Sequence, residues 1–104
     1  MNKKKLLEQI KKTVLEIEPE AEIILYGSRS RGDAKKESDW DLLIIVNEPL
    51  NDQRIDRIRH QLYELEWESG EVISSIVRTR DEWNSALYRA MPFHHIVDTE
   101  GTRL

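Results

Sequence analysis

The stretch EIILYGSRSRGDAKKESDWDLLIIV, residues 22–46, decides the fold of this chain. Its first five residues are largely β-branched or aromatic, which favours a β-strand over 22–26, and Gly27 ends that strand where the backbone must turn sharply. The apolar run at its end, residues 42–46, is typical of a strand that is buried on both faces. The stretch therefore predicts two strands, 22–26 and 40–46, joined by a polar loop.

The loop after residue 26 has the composition of a phosphate-binding turn. Gly27 has no side chain and Ser28 carries a short hydroxyl, so backbone N–H groups and one O–H can approach phosphate oxygens closely. Arg29 and Arg31 add positive charge beside it. The chain has no G-x-x-x-x-G-K-[ST] run, so this would be a phosphate loop other than the P-loop.

Two carboxylates open the second strand. Asp39 and Asp41 are two residues apart, and in a strand such residues share one face, with Cα atoms roughly 6.6 Å apart. Trp40 points the other way. Two like charges at the edge of a buried strand repel each other, and a divalent cation removes that conflict. Mg²⁺ or Mn²⁺ suits this pair, because both ions prefer hard oxygen ligands and Mg²⁺ commonly bridges carboxylates to substrate phosphates.

The order G-S-x-x-R-G, followed by S-D-x-D-L-L-I, resembles the signature of the DNA polymerase β-like nucleotidyltransferase superfamily. At this length the chain is similar to the minimal nucleotidyltransferases (MNT), many of which resemble antitoxin partners of HEPN toxins. The resemblance implies that the nucleotide is bound by Gly27, Ser28, Arg31, Gly32 and Ser38. It also implies that Asp39 and Asp41 are the catalytic residues that hold the metal.

One position departs from the superfamily pattern, which adds a third carboxylate on a later strand. In this chain that strand is residues 71–77, and the position of the acid aligns with Ser74, or with Ser75 in the alternative phase. A hydroxyl is a poorer magnesium ligand than a carboxylate. Three alternatives follow: Glu71 reaches in from the start of the strand, water fills the third position, or the domain binds nucleotide without turning it over.

Composition further limits the possible domain organisation and function. A chain of 104 residues is expected to form a single domain, 1–104, without a separate substrate-recognition unit. The formal net charge of −4 argues against broad nucleic-acid binding. The chain has no cysteine, no signal-peptide segment and no long apolar run, so we expect a cytoplasmic protein without disulfides or a membrane contact. A homo-oligomer is compatible with the sequence.

The remaining pattern predicts a small mixed β-sheet backed by helices on one face, with the metal face open. This is an α/β (α+β) class, and the resemblance implies the nucleotidyltransferase (polymerase β palm-like) fold. The predicted elements are a helix over 3–18, a short helix near 30–34, a helix capped by Asn51 or Asp52 and ending at Ser69–Gly70, a strand over 71–78, a helix over 82–90 capped by Asp81, and a terminal segment opened by Pro92.

The resemblance implies a nucleotidyltransferase that moves AMP from Mg-ATP to a hydroxyl, with a tyrosine of a partner HEPN toxin as the acceptor. The alternative is a catalytically weak or inactive module that acts as an antitoxin by covering its partner, and the missing third acid favours it. A third hypothesis is a small-molecule transferase. Such an enzyme would need a dimer to form the acceptor pocket.

Overall fold

The computed structural model describes residues 1–104 as six helices and four strands. In chain order these are α1 (Lys3–Ile17), β1 (Glu22–Tyr26), α2 (Ser28–Arg31), β2 (Trp40–Val46), α3 (Asp52–Ser69), β3 (Ile73–Thr79), α4 (Arg80–Trp83), α5 (Ala86–Arg89), α6 (Pro92–Glu100) and β4 (Thr102–Arg103). None of the helices has the length and apolar character that a membrane span requires.

The strands form one mixed sheet in the order β3-β2-β1-β4. β1 is antiparallel to β2 and to β4, while β2 and β3 are parallel and are connected by α3. A parallel pair needs such a crossover, because the chain must return to the starting edge of the sheet. The predicted small mixed sheet backed by helices is confirmed.

Helices α1 and α3 cover one face of the sheet and enclose the main core. Asn2 caps α1 and Asn51 caps α3, each accepting a backbone N–H with its side chain. Of the two predicted caps, Asn51 and Asp52, the structure therefore has Asn51. The buried residues of this core include Leu6, Ile10 and Val14 of α1, Leu42, Ile44 and Val46 of β2, and Ile58, Leu62 and Leu65 of α3.

The opposite face is partly covered, so the expectation of helices on one face only is wrong. Leu43 and Ile45 of β2 point to this side and pack against Trp83 of α4 and Val97 of α6 in a second buried cluster. Both faces of β2 must be covered because its apolar residues run consecutively rather than in alternation. At the start of the strand Asp41 keeps partial exposure.

Other elements also differ from the predictions. The helix expected over 82–90 is two single turns, because Thr79 caps α4 in a capping box with Glu82 and Ser85 then caps α5. Asp81 is inside α4 rather than at its cap. The short helix is 28–31 rather than 30–34, the strand is 73–79 rather than 71–78, and β4 was not predicted.

Candidate functional site

The pairing of β1 with β2 brings the loop and the carboxylates together. Tyr26 lies opposite Asp41, so the turn at Gly27 lies directly beside the Asp41 side chain. Gly27 has φ +74°, and a Cβ at this position would come within 2.4 Å of Asp41 Oδ2. Both the backbone conformation and the close approach require glycine here.

Helix α2 begins immediately after this turn. The N–H groups of residues 30–32 bond to the carbonyls of Gly27 and Ser28, and Gly32 ends the helix in the left-handed conformation at φ +87°. The Ser28 side chain is partly exposed and makes no hydrogen bond within the chain. Its hydroxyl is therefore available to an external acceptor such as a phosphate oxygen.

The electrostatics of the carboxylate pair favour a bound cation. Burial raises the pKa of Asp41, the negative charge of Asp39 raises it further, and the positive charge of Arg31 opposes both effects. The pKa of Tyr26 is also raised, first by burial and then by the charge of Asp41. Two adjacent carboxylates of this kind fit a hard divalent ion, Mg²⁺ or Mn²⁺, whose charge would offset their repulsion.

The strand register separates the two serines proposed for the third position. Ser74 pairs with Asp41 and Ser75 pairs with Leu42. Because paired residues of neighbouring strands share a face, Ser74 lies on the Asp41 side of the sheet and Ser75 on the α3 side. The neighbouring position is therefore a hydroxyl, and no group of three or more Asp, Glu, His or Cys forms a metal cluster anywhere in the fold.

Glu71 does not reach this site, so that alternative is wrong. Its carboxylate accepts a hydrogen bond from Trp40 Nε1 at 3.2 Å and lies 3.6 Å from Arg29 Nη2. Trp40 is buried on the face of the sheet opposite to Asp41, and Glu71 is held with it. Two of the three alternatives remain: water fills the third position, or the domain binds nucleotide without turning it over.

Arg29 differs most from its sequence interpretation, which placed its charge beside the phosphate loop. Its side chain is only 5% exposed and its Cζ lies 4.5 Å from the centre of the Trp40 ring. The guanidinium donates to Ser38 O at 2.9 Å and to Lys36 O at 3.2 Å. Arg29 therefore ties α2 to the segment that leads into Asp39, a role that no local sequence pattern indicates.

The remaining predicted residues lie around the pair. Arg31 donates to Asp33 and to Glu100, each at 3.1 Å, and its charge acts on Asp41 from there. Ser38 accepts the Lys35 N–H with its hydroxyl, which stabilises the turn before Asp39. In this geometry Ser38 positions the acidic segment.

Comparison with known sequences gives one family. The sequence model of the nucleotidyltransferase domain matches residues 7–98, which is most of the chain. A search of curated proteins gave no match.

Three similar solved structures are toxin-antitoxin assemblies. One, a toxin-antitoxin with AMP-PNP, is 17% identical with a TM-score of 0.62, over 99% of this chain and 72% of the other. A MntA-HpeT toxin-antitoxin mutant with two aspartates changed to glutamate is 15% identical with a TM-score of 0.58, over 99% and 72%. A MntA-HpeT mutant with a tyrosine changed to alanine is 19% identical with a TM-score of 0.60, over 100% and 72%. These likenesses show a shared fold.

Replacing the buried guanidinium should destabilise the protein. We expect Arg29→Lys to lower the free energy of unfolding by about 2 kcal/mol, because lysine cannot make the forked hydrogen bonds to the two carbonyls. Urea unfolding measures this change. The control Arg57→Lys, at an exposed position of α3, should stay within about 0.5 kcal/mol of wild type. Equal midpoints for the two variants would contradict the role given to Arg29.

Removing the charge of Asp41 should stabilise the metal-free protein. Because the pKa of Asp41 is raised in the fold, the folded state binds its proton more readily than the unfolded state, and ionisation at neutral pH costs stability. Asp41→Asn should therefore raise the urea midpoint at pH 7 in EDTA. The gain should shrink as the pH falls through the raised pKa of Asp41 and disappear below the ordinary carboxyl pKa, where Asp41 is protonated in both states.

The control for this measurement is Asp56→Asn, at an exposed aspartate of α3, which should not change the midpoint. Added Mg²⁺ should raise the midpoint of wild type more than that of Asp41→Asn. An Asp41→Asn variant that is less stable than wild type in EDTA would show that burial and repulsion do not act on this carboxyl as described.

Proposed function

The chain belongs to the nucleotidyltransferase domain family, and on that premise we propose that it transfers AMP from Mg-ATP to a hydroxyl group. The observation that carries the proposal is the close approach of the Asp41 carboxylate to the Gly27 backbone, at the end of β1. Because of this approach, a turn that can bind phosphate lies beside a pair of carboxylates that can bind a metal ion. Neither half alone would support nucleotide transfer.

Each residue of the site then has a separate task. Gly27 and Ser28 receive phosphate oxygens through backbone N–H groups and the serine hydroxyl. Asp39 and Asp41 would hold Mg²⁺ or Mn²⁺, which would neutralise the charge of the triphosphate. The positioning residues are Arg31 and Gly32 at the end of α2 and Ser38 in the turn before Asp39.

The transfer is an in-line displacement at the α-phosphorus. The acceptor oxygen forms a new P–O bond, while the bond from the α-phosphorus to the bridging oxygen breaks and pyrophosphate leaves with that electron pair. The acceptor proton passes to water, since Ser74 offers no carboxylate to receive it. Such a reaction depends on positioning and charge neutralisation more than on covalent catalysis, so few protein groups are needed.

The missing third acid favours a tyrosine as the acceptor. A phenol ionises near pH 10, and therefore loses its proton more readily than an aliphatic hydroxyl, so it depends less on a carboxylate base. The resemblance to minimal nucleotidyltransferases names a HEPN-type toxin in the cytoplasm as the protein that carries this tyrosine. The likeness to toxin-antitoxin structures, one of them with AMP-PNP, supports a protein partner and ATP as the donor.

A second candidate function is neutralisation of a partner by binding alone. The observation that favours it is the serine beside Asp41, because a site with two carboxylates can hold nucleotide and metal without turning them over. In that case the complex with the partner would survive the loss of both aspartates. Partner binding and nucleotide transfer must therefore be measured separately.

Loss of both carboxylates should abolish transfer. We expect Asp39→Asn/Asp41→Asn to reduce label transfer from ATP marked in its α-phosphate by about 100-fold or more, because the charge that holds the metal is gone. The measurement is made with Mg²⁺ in a lysate of the source organism, with Asp56→Asn as the control. Transfer that persists in the double variant would overturn the assignment; an unlabelled lysate with an intact complex would favour the binding function.

Restoring the acid should increase transfer. Ser74→Asp adds a carboxylate beside Asp41, and a positioned base of this kind contributes roughly 100-fold or more to proton transfer. A rise of about 10-fold in the rate of label transfer is the expected result. Ser75→Asp is the matched control, because its side chain is directed to the α3 face and should give no gain. If both variants behave like wild type, the third acid does not limit this enzyme.

A further inference from the structure

The outer edge of β3 is open. The sheet order leaves β3, a strand of seven residues, paired with β2 alone. The backbone N–H of Trp40 donates to Val72 O. In this parallel ladder the backbone N–H and C=O groups of residues 72, 74, 76 and 78 therefore face β2. Those of residues 73, 75, 77 and 79 point outward. An edge of this length usually requires protection or a partner.

Side chains cap the two ends of this edge and leave its centre free. The caps are Glu66 Oε2, which accepts the Ile73 N–H at 2.9 Å, Arg78 Nη1, which donates to Val77 O at 2.7 Å, and Glu82 Oε1, which accepts the Thr79 N–H at 3.2 Å. Four outward groups have no partner in the chain: the Ile73 carbonyl, the N–H and the carbonyl of Ser75, and the Val77 N–H.

These four groups match each other across a twofold axis at Ser75. If two β3 strands pair antiparallel about this residue, the two copies of Ser75 exchange both of their hydrogen bonds. The Val77 N–H of each copy then faces the Ile73 carbonyl of the other. We propose that the chain forms a symmetric dimer through the β3 edge, which joins the two four-stranded sheets into one.

The caps suit the same symmetry. Antiparallel pairing about Ser75 brings the Ile73 end of one strand next to the Val77 end of the other. Glu66 of one copy therefore lies beside Arg78 of the second copy, and their charges are opposite. The side chains that protect the edge in the monomer become ion-pair partners in the dimer.

Exposed aromatic side chains lie along this edge. Trp67 is 75% exposed and Tyr63 is 53% exposed, and their rings contact edge to face with centroids 6.1 Å apart. Tyr63 also lines a groove of about 630 Å³ between α3 and β3, together with Ser75. Large exposed aromatics beside a groove are typical of a protein interface.

The charges on α3 are arranged for a second copy of the same helix. The charged residues of α3 that line the groove beside β3 are Asp56 and Arg59 in its first half and Glu66 in its second half. The twofold axis sets two α3 helices antiparallel on one face of the joined sheet, so Arg59 of each copy approaches Glu66 of the other. This self-complementarity distinguishes a second copy from an unrelated partner.

The dimer would also border the candidate site. On the Asp41 face, the pairing sets Ile76 of the second copy opposite Ser74. An apolar side chain would then lie next to Ser74, one strand beyond Asp41. The dimer does not depend on the proposed transfer, because it is measured without nucleotide.

Sedimentation equilibrium of the nucleotide-free protein over a concentration series tests the dimer. Wild type should approach twice the monomer mass. Ser75→Pro should remain monomeric, because it removes the central donor; the fold should survive, since that N–H takes no part in the β2 ladder. Trp67→Glu should weaken association at least 10-fold, whereas Leu87→Glu, at a 72% exposed position on α5, should not. Circular dichroism checks that each variant is folded.

Amide hydrogen exchange locates the contact. The Ser75 and Val77 amides should exchange more slowly as the protein concentration rises, while the Thr79 amide, already capped by Glu82, should not change. The proposal is overturned if the wild-type protein stays monomeric at every concentration. In that case the edge would be left to a strand of another protein. A Ser75→Pro variant that dimerises like wild type also overturns the proposal.

Discussion

The candidate site depends on the antiparallel pairing of β1 with β2. The register that sets Tyr26 opposite Asp41 also sets the turn at Gly27 against the Asp41 carboxylate. A slip of one residue would turn the carboxylates to the α1 side of the sheet and the apolar residues of β2 to the wrong faces. The hydrophobic core of β2 therefore maintains the register on which the polar site relies.

Buried charge supports this arrangement from the opposite face. Arg29 stacks on Trp40 and bonds to two carbonyls of the loop, while Glu71 completes the cluster. A buried guanidinium without such partners would be costly, so the cluster has one favourable arrangement. The loop before Asp39 is thereby held by a side chain from α2, and the two halves of the site are joined on both faces of the sheet.

The features that were predicted correctly from the sequence are those that depend on local patterns of residues. Strands 22–26 and 40–46 follow from apolar and β-branched residues within a few positions, and both are confirmed. The side-chain chemistry of the α3 cap left Asn51 and Asp52 as alternatives, and Asn51 is the cap. The T-x-x-E pattern at Thr79 is the local signal of the capping box, and the predicted Asp81 cap is wrong. The choice between Ser74 and Ser75 and the burial of Arg29 depend on contacts between distant strands and loops, which periodicity does not encode.

Helix α2 is held by hydrogen bonds to residues 100 and 102. Ser30 Oγ donates to Glu100 O at 2.5 Å and lies 2.7 Å from Thr102 Oγ1, across about 70 residues of sequence. During synthesis residues 22–46 leave the ribosome well before residues 100–102, which anchor α2. Because segments fold as they become available, the turn at Gly27 would reach its final position only after residue 102 has emerged. Until then a growing chain would carry an unfinished site.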